Sequence, residues 1–192
     1  MGRLLLIRHG ESEGNRDSVF TRSPAVGLTD RGREQARQAG AWLREHYEPA
    51  RLVSSPFTRA RQTADLMAAA MRIGRIEVEQ ALRERSYGEM AGLPYTTPRH
   101  DYDRSAYWSW RPPSGETLEE VALRVGPVLD RVARDGVSSN VVVVSHGAVM
   151  TALWWHMTGD WPKPGSVVRN AGVVLVEHRG DHYDRVDELE GP

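Results

Sequence analysis

Apolar residues recur along this chain at two spacings, and the alternation between them sets the expected fold. Leu4 to Ile7 is an unbroken apolar run between charges, the pattern of a strand buried on both faces of a parallel sheet. A polar, glycine-containing loop follows from Arg8 to about Leu28. Thr29 or Asp30 then offers a cap for a helix whose Ala36, Ala39, Gly40, Leu43 and Tyr47 share one face. A second short strand is predicted over Ala50–Ser54. Ser55-Pro56 reads as a helix start with proline at the first helical position, and Ala60, Ala64, Met67 and Met71 mark that helix's buried stripe. Ile76 to Val78 suggests a third strand.

Thr117 and Glu120 form a capping-box pattern ahead of a helix with Val121, Val125, Val128, Leu129 and Val132 on its apolar face. Val141 to Val144 is the strongest strand signal, and a helix from about Ala148 to His156 follows it. Val173–Val176 and Tyr183–Val186 are expected to close the sheet as a hairpin across Arg179-Gly180-Asp181. Strands alternating with helices imply an α/β fold, a mostly parallel sheet flanked by helices on both faces.

The stretch from about 89 to 114 breaks this rhythm. It holds Pro94, Pro98, Pro112 and Pro113, with Tyr95, Tyr102, Tyr107, Trp108 and Trp110. Prolines at that density exclude one long helix. Loops and short helices lying over the sheet are expected instead, with some of the aromatics packed as core. No repeat or linker divides the chain, so residues 1–192 are read as a single domain carrying this insertion.

Composition narrows the partners. The formal charge is -1, which gives no basic field to attract nucleic acid or an anionic membrane. Absence of cysteine removes disulfides, thiolate metal sites and a cysteine nucleophile together. The apolar run at Leu4–Ile7 is too short for a secretory signal, and no stretch approaches the ~20 apolar residues of a membrane span. A cytoplasmic protein with no membrane or nucleic-acid partner is expected, with a homo-oligomer left open.

The candidate chemistry sits at strand ends, where ligands bind in open α/β sheets. The first strand ends in Arg8-His9-Gly10-Glu11 and the fourth in Ser145-His146-Gly147. The helix after the second strand carries Arg59 in its first turn, where a helix N-terminus already attracts anions. If the first and fourth strands are neighbours, two histidines and two arginines converge on a phosphate-sized pocket. Neither strand end offers the carboxylate that usually accompanies a metal-binding histidine, so no metal site and no cofactor are expected.

Arg8-His9-Gly10-Glu11-Ser12 with Asn15, Ser54-Ser55-Pro56 to Ala64, Leu82-Arg83-Glu84 with Gly88 and Gly92, and Val144-Ser145-His146-Gly147 stand in the order of the four motifs of the histidine phosphatase superfamily. The chain resembles that superfamily, which includes cofactor-dependent phosphoglycerate mutases. The resemblance implies a phosphoglycerate mutase-like fold acting on a small phosphorylated substrate. It also implies catalytic roles for His9 as nucleophile, for Arg8, Arg59 and His146 as phosphoryl-binding groups, and for Glu84 as general acid. Asn15, Thr21, Arg85, Tyr87 and Gly147 are implied as substrate contacts. Glu89, in the same loop as Glu84, is the rival acid.

Glu84-Arg85-Ser86-Tyr87-Gly88 resembles the mutase form of the acid motif. Two departures point the other way: a single Arg111 stands where mutases have an arginine pair, and Ala148 where they tend to have asparagine. The chain is also short, with little structure to keep water from a phosphohistidine. The expectation is a metal-independent phosphomonoester hydrolase of the histidine acid phosphatase type. A phosphoglycerate mutase and a catalytically silent phospho-ligand binding domain are the alternatives.

Overall fold

The computed structural model describes residues 2–21, 23–180 and 182–189. Six strands form one mixed sheet in the order β3-β2-β4-β1-β5-β6. They are β1 (Gly2–Arg8), β2 (Arg51–Ser54), β3 (Ile76–Val78), β4 (Asn140–Ser145), β5 (Val173–Arg179) and β6 (His182–Leu189). The first four are mutually parallel, whereas β5 runs antiparallel to both β1 and β6. The expected closing hairpin is therefore present, although Asp181 in its turn lies outside the described residues.

The unbroken apolar run in β1 is explained by what covers it. Leu4 and Leu6 face one core, with α4 (Leu118–Asp135) and α5 (Gly147–Thr158). Leu5 and Ile7 face the other, with α2 (Asp30–Tyr47) and α3 (Thr58–Met71). All four side chains are buried. Val141 and Val143 of β4 join the first core and Val142 and Val144 the second, so helices do cover both faces. Thr29 is the cap of α2, accepting from the Gly32 amide, and Thr117 and Glu120 form the expected capping box.

The structure departs from the sequence reading in three places. First, α3 begins at Thr58 with Phe57 as its N-cap, not at Ser55-Pro56. Ser55 prolongs the strand instead: its amide donates to Val144 O, and its hydroxyl accepts from the Phe57 amide. Arg59 remains in the helix's first turn. Second, a single helical turn, α1 (Glu13–Arg16), lies inside the loop read as irregular, closed by a capping box between Ser12 and Asn15. Third, the insertion builds a small core of its own. Phe20, Met90 and Trp110 form a separate small core beside Tyr87 and Tyr102, and residues from Arg99 to Trp110 line a cavity shared with the ends of β1 and α3.

The insertion is latched to the connection between α5 and β5. Trp161 stacks on Trp155 at 5.1 Å and on Trp108 at 5.8 Å between ring centroids, and the Tyr107 hydroxyl donates to Pro162 O at 2.6 Å.

The loop after β1 rests directly on the first turn of α2. A Cβ added at Gly32 would meet Glu11 O at 2.0 Å, and one at Gly10 would meet Gly32 O at 2.3 Å. Both contacts are with backbone, which cannot swing aside. Gly32→Ala is expected to lower unfolding free energy by about 1–3 kcal/mol, the range for overpacking, as read by urea denaturation. A midpoint equal to that of the parent chain would show that the helix turn and the loop part at no cost to admit the methyl group.

Candidate active site

Parallel pairing of β1 with β4 places Arg8 opposite Ser145, so the next residues, His9 and His146, stand side by side. Their ring centroids are 5.2 Å apart. His9 is 3% exposed. Its Nδ1 lies 2.7 Å from Gly10 O, and its Nε2 accepts from Arg59 Nε at 3.1 Å. A carbonyl can only accept and a guanidinium can only donate. The ring is therefore the neutral tautomer with hydrogen on Nδ1 and a lone pair on Nε2. Burial first, then the charges of Arg59 and Arg8, hold its pKa well below the ordinary 6.5.

His146 is fully buried and its pKa is likewise pushed well down, by burial and then by Arg59. Ser55 Oγ, which accepts from the Phe57 amide, lies 2.7 Å from His146 Nε2 and hydrogen-bonds to it. The other ring nitrogen, His146 Nδ1, is buried with no partner. Arg8 Nε and Arg59 Nη1 are in the same condition. Arg59 itself is 2% exposed. Leaving buried polar nitrogens unpaired is unfavourable. An anion in the cavity that Arg8, His9 and Arg59 line would supply acceptors to the two guanidiniums. Gly147 lies beside Arg8: a Cβ there would meet Val167 Cγ1 at 3.3 Å and stand in ordinary contact with Arg8 Nε at 3.6 Å. Arg8 is held from behind by donating Nη1 to Val168 O at 2.8 Å.

Glu84 shares this cavity of about 440 Å³, whereas the rival Glu89 does not. Glu89 is exposed and accepts from Ser114 Oγ at 3.2 Å on the neighbouring surface. Glu84 accepts from the Arg85 amide at 2.9 Å. Burial raises its pKa, with Arg59 pulling the other way.

The other residues named from sequence also line the cavity, though not all are free to bind. Asn15 Oδ1 is used by the Ser12 amide and by Asn170 Nδ2. Arg85 donates Nε to Glu116 O at 2.7 Å and Nη2 to Trp110 O at 2.6 Å, which makes it chiefly a tie between the acid loop and the insertion. Tyr87 and Thr21 lie along the wall, the Tyr87 hydroxyl's pKa raised by burial. Arg111 is outside, paired with Glu120 at 2.6 Å. Sequence reasoning missed Arg99 and Phe20 on the cavity wall and the support of His146 by Ser55. Among the described residues no group of three His, Cys, Asp or Glu side chains could hold a metal ion.

A family model described as the histidine phosphatase superfamily (branch 1) matches residues 4–187. The chain belongs to this superfamily. It is 35% identical over 186 residues to a protein of Methylobacterium radiotolerans named 2,3-bisphosphoglycerate-dependent phosphoglycerate mutase, covering 90% of this chain and 87% of that one. It is 29% identical over 163 residues to the uncharacterized phosphatase PhoE of Bacillus subtilis, covering 85% and 81%. Among solved structures, a mycobacterial glucosyl-3-phosphoglycerate phosphatase in complex with VO3 matches with a TM-score of 0.85 at 25% identity, covering 100% of both chains. Membership of this histidine phosphatase superfamily thus brings named relatives of both kinds, mutase and phosphatase. No helix is long and apolar enough to cross a membrane among the described residues.

Proposed function

We propose that the chain is a metal-independent phosphomonoester hydrolase that works through a phosphohistidine on His9. The observation that carries this reading is the state of one atom: His9 Nε2 holds a lone pair close to buried nitrogens of Arg8, Arg59 and His146 that have no partner. In the first step Nε2 attacks phosphorus as the ester P–O bond breaks. The Arg59 Nε–H turns from the nitrogen to a phosphoryl oxygen, and Arg8 and His146 Nδ1 bind the remaining charge. Glu84 delivers its proton to the departing alkoxide. In the second step Glu84, now a carboxylate, takes a proton from water. The oxygen attacks phosphorus, the P–N bond breaks, and Nε2 recovers its lone pair.

Arg111 and Ala148 favour hydrolysis over mutase transfer. Arg111 is occupied on the outer surface, and Ala148 brings an apolar methyl to the cavity wall where mutases tend to carry an amide. The Methylobacterium relative favours the mutase reading instead. Release of inorganic phosphate from a panel of monoesters, without a bisphosphoglycerate primer and after exhaustive EDTA treatment, separates them. The expected result is turnover that survives chelation. Efficient interconversion of 2- and 3-phosphoglycerate with slow phosphate release would establish the mutase. Activity lost to EDTA and restored by a divalent ion would sink the metal-free mechanism.

A further inference from the structure

Charge in the cavity is unbalanced even with a phosphoryl group in place. Arg8, Arg59, Arg85 and Arg99 line it, and Glu84 is the carboxylate among the lining residues. Four guanidiniums less one carboxylate leave three positive charges. A phosphate monoester brings about two negative ones, so at least one cation stays unmatched, and a second when Glu84 carries its proton.

The unmatched cation is Arg99. Its guanidinium carbon lies 4.9 Å from the centroid of Tyr102, 5.4 Å from that of Trp110 and 5.7 Å from that of Phe20. Among the described residues it has neither a hydrogen bond nor an ion pair. Contact with ring faces fixes the plane of a guanidinium and leaves its N–H edge available, the edge that matches a carboxylate or phosphate. Arg85 differs, since two of its nitrogens are committed to backbone carbonyls. It braces Trp110, one of the rings that hold Arg99.

We propose that Arg99 grips a second anionic group of the substrate, carried on the part remote from the transferred phosphoryl group, so that the preferred substrates are phosphomonoesters with a further carboxylate or phosphate. This rests on the reading that a phosphomonoester occupies the site beside His9. Phe20, Tyr102 and Trp110 supply the apolar walls between the two anion positions, dry enough for the second charge pair to count.

Three probes differ only at the far terminal carbon: 3-phosphoglycerate bears a carboxylate, glycerol 1,3-bisphosphate a phosphate and glycerol 3-phosphate a hydroxyl. The parent enzyme is expected to show kcat/KM at least about tenfold higher for one or both anionic probes, the scale of one charged hydrogen bond. Whichever anion leads names the source. Arg99→Gln should lower that ratio about tenfold, and Arg99→Lys, which keeps the charge, should retain more of it. Equal rates on all three probes, or a loss in Arg99→Gln that is the same for the hydroxyl probe, would overturn the proposal. So would a ratio in Arg99→Lys as low as in Arg99→Gln, because it would assign the effect to ring packing. Equilibrium binding of the same probes to His9→Ala needs no turnover. A retained preference there, together with a parent enzyme that releases no phosphate from any of the three probes, would remove the hydrolase reading and keep the second anion site.

Discussion

His9→Ala is expected to reduce turnover of every phosphomonoester by at least about 10⁴-fold while the protein stays folded, the scale seen when a covalent nucleophile is removed. The geometry makes the demand specific to this atom. Nδ1 is committed to Gly10 O, so Nε2 is the ring's available nucleophile. Acid quench would destroy a phosphohistidine, so the parent enzyme should be quenched in alkali during turnover. A phosphate adduct on the His9 peptide is expected by mass spectrometry, absent from His9→Ala. Circular dichroism confirms that the variant is folded. Substantial phosphate release by the folded variant would end the mechanism proposed here.

Glu84→Gln carries the second large effect, and its size should depend on the leaving group. A departing alkoxide is strongly basic and needs a proton as its bond breaks, whereas nitrophenolate is stable as an anion. General acid catalysis contributes about 10²–10⁴-fold where the proton is needed. The variant keeps the shape and loses the proton, so single-turnover phosphorylation should fall by that range on alkyl phosphates and far less on nitrophenyl phosphate. Burial supports the role by raising the pKa above 4.5, which keeps a usable fraction protonated as the pH rises. Burial and the two arginines hold the His9 pKa well below 6.5, so its lone pair is available at neutral pH. Activity on alkyl phosphates should therefore hold on the acid side and decline as the pH climbs through the Glu84 value, and Glu84→Gln should erase that decline.

Stability moves in the same sense. The folded state binds this proton more tightly than the unfolded chain, so stability is lost as pH rises from 4.5 through the folded value. Glu84→Gln should recover that loss as a higher melting temperature near neutral pH. An equal loss of rate on both classes of ester would remove Glu84 from proton transfer.

Much of the scaffold could be read from local pattern because local pattern had one physical cause. Leu4–Ile7 and Val141–Val144 are continuous because both faces of those strands are covered, and Thr117 with Glu120 closes a cap within four residues. The start of α3 was misread because Pro56 is a good first helical residue in isolation. What delays the helix is Ser55, held to Val144 and His146 by contacts that no local window contains. Four motifs placed His9, Arg8, Arg59, Glu84 and His146 in one family pattern, and the structure lines one cavity with the first four of them and sets the His146 ring against His9. Arg99 was invisible for the opposite reason. In sequence it is one arginine of many in a proline-rich stretch, and its meaning comes from Phe20, which joins it from 79 positions away, the difference between 99 and 20.

Three of the chain's six tryptophans form a single column that spans two walls of the cavity. One wall is the insertion around Tyr107 and the other is the run that includes Gly165 to Val167. Clamped in this way, neither wall can retreat alone to admit a bulkier substrate. If a substrate enters here as proposed, any size selection is shared by the pair: a change that widens the entrance is expected to loosen Trp108 and Trp161 together.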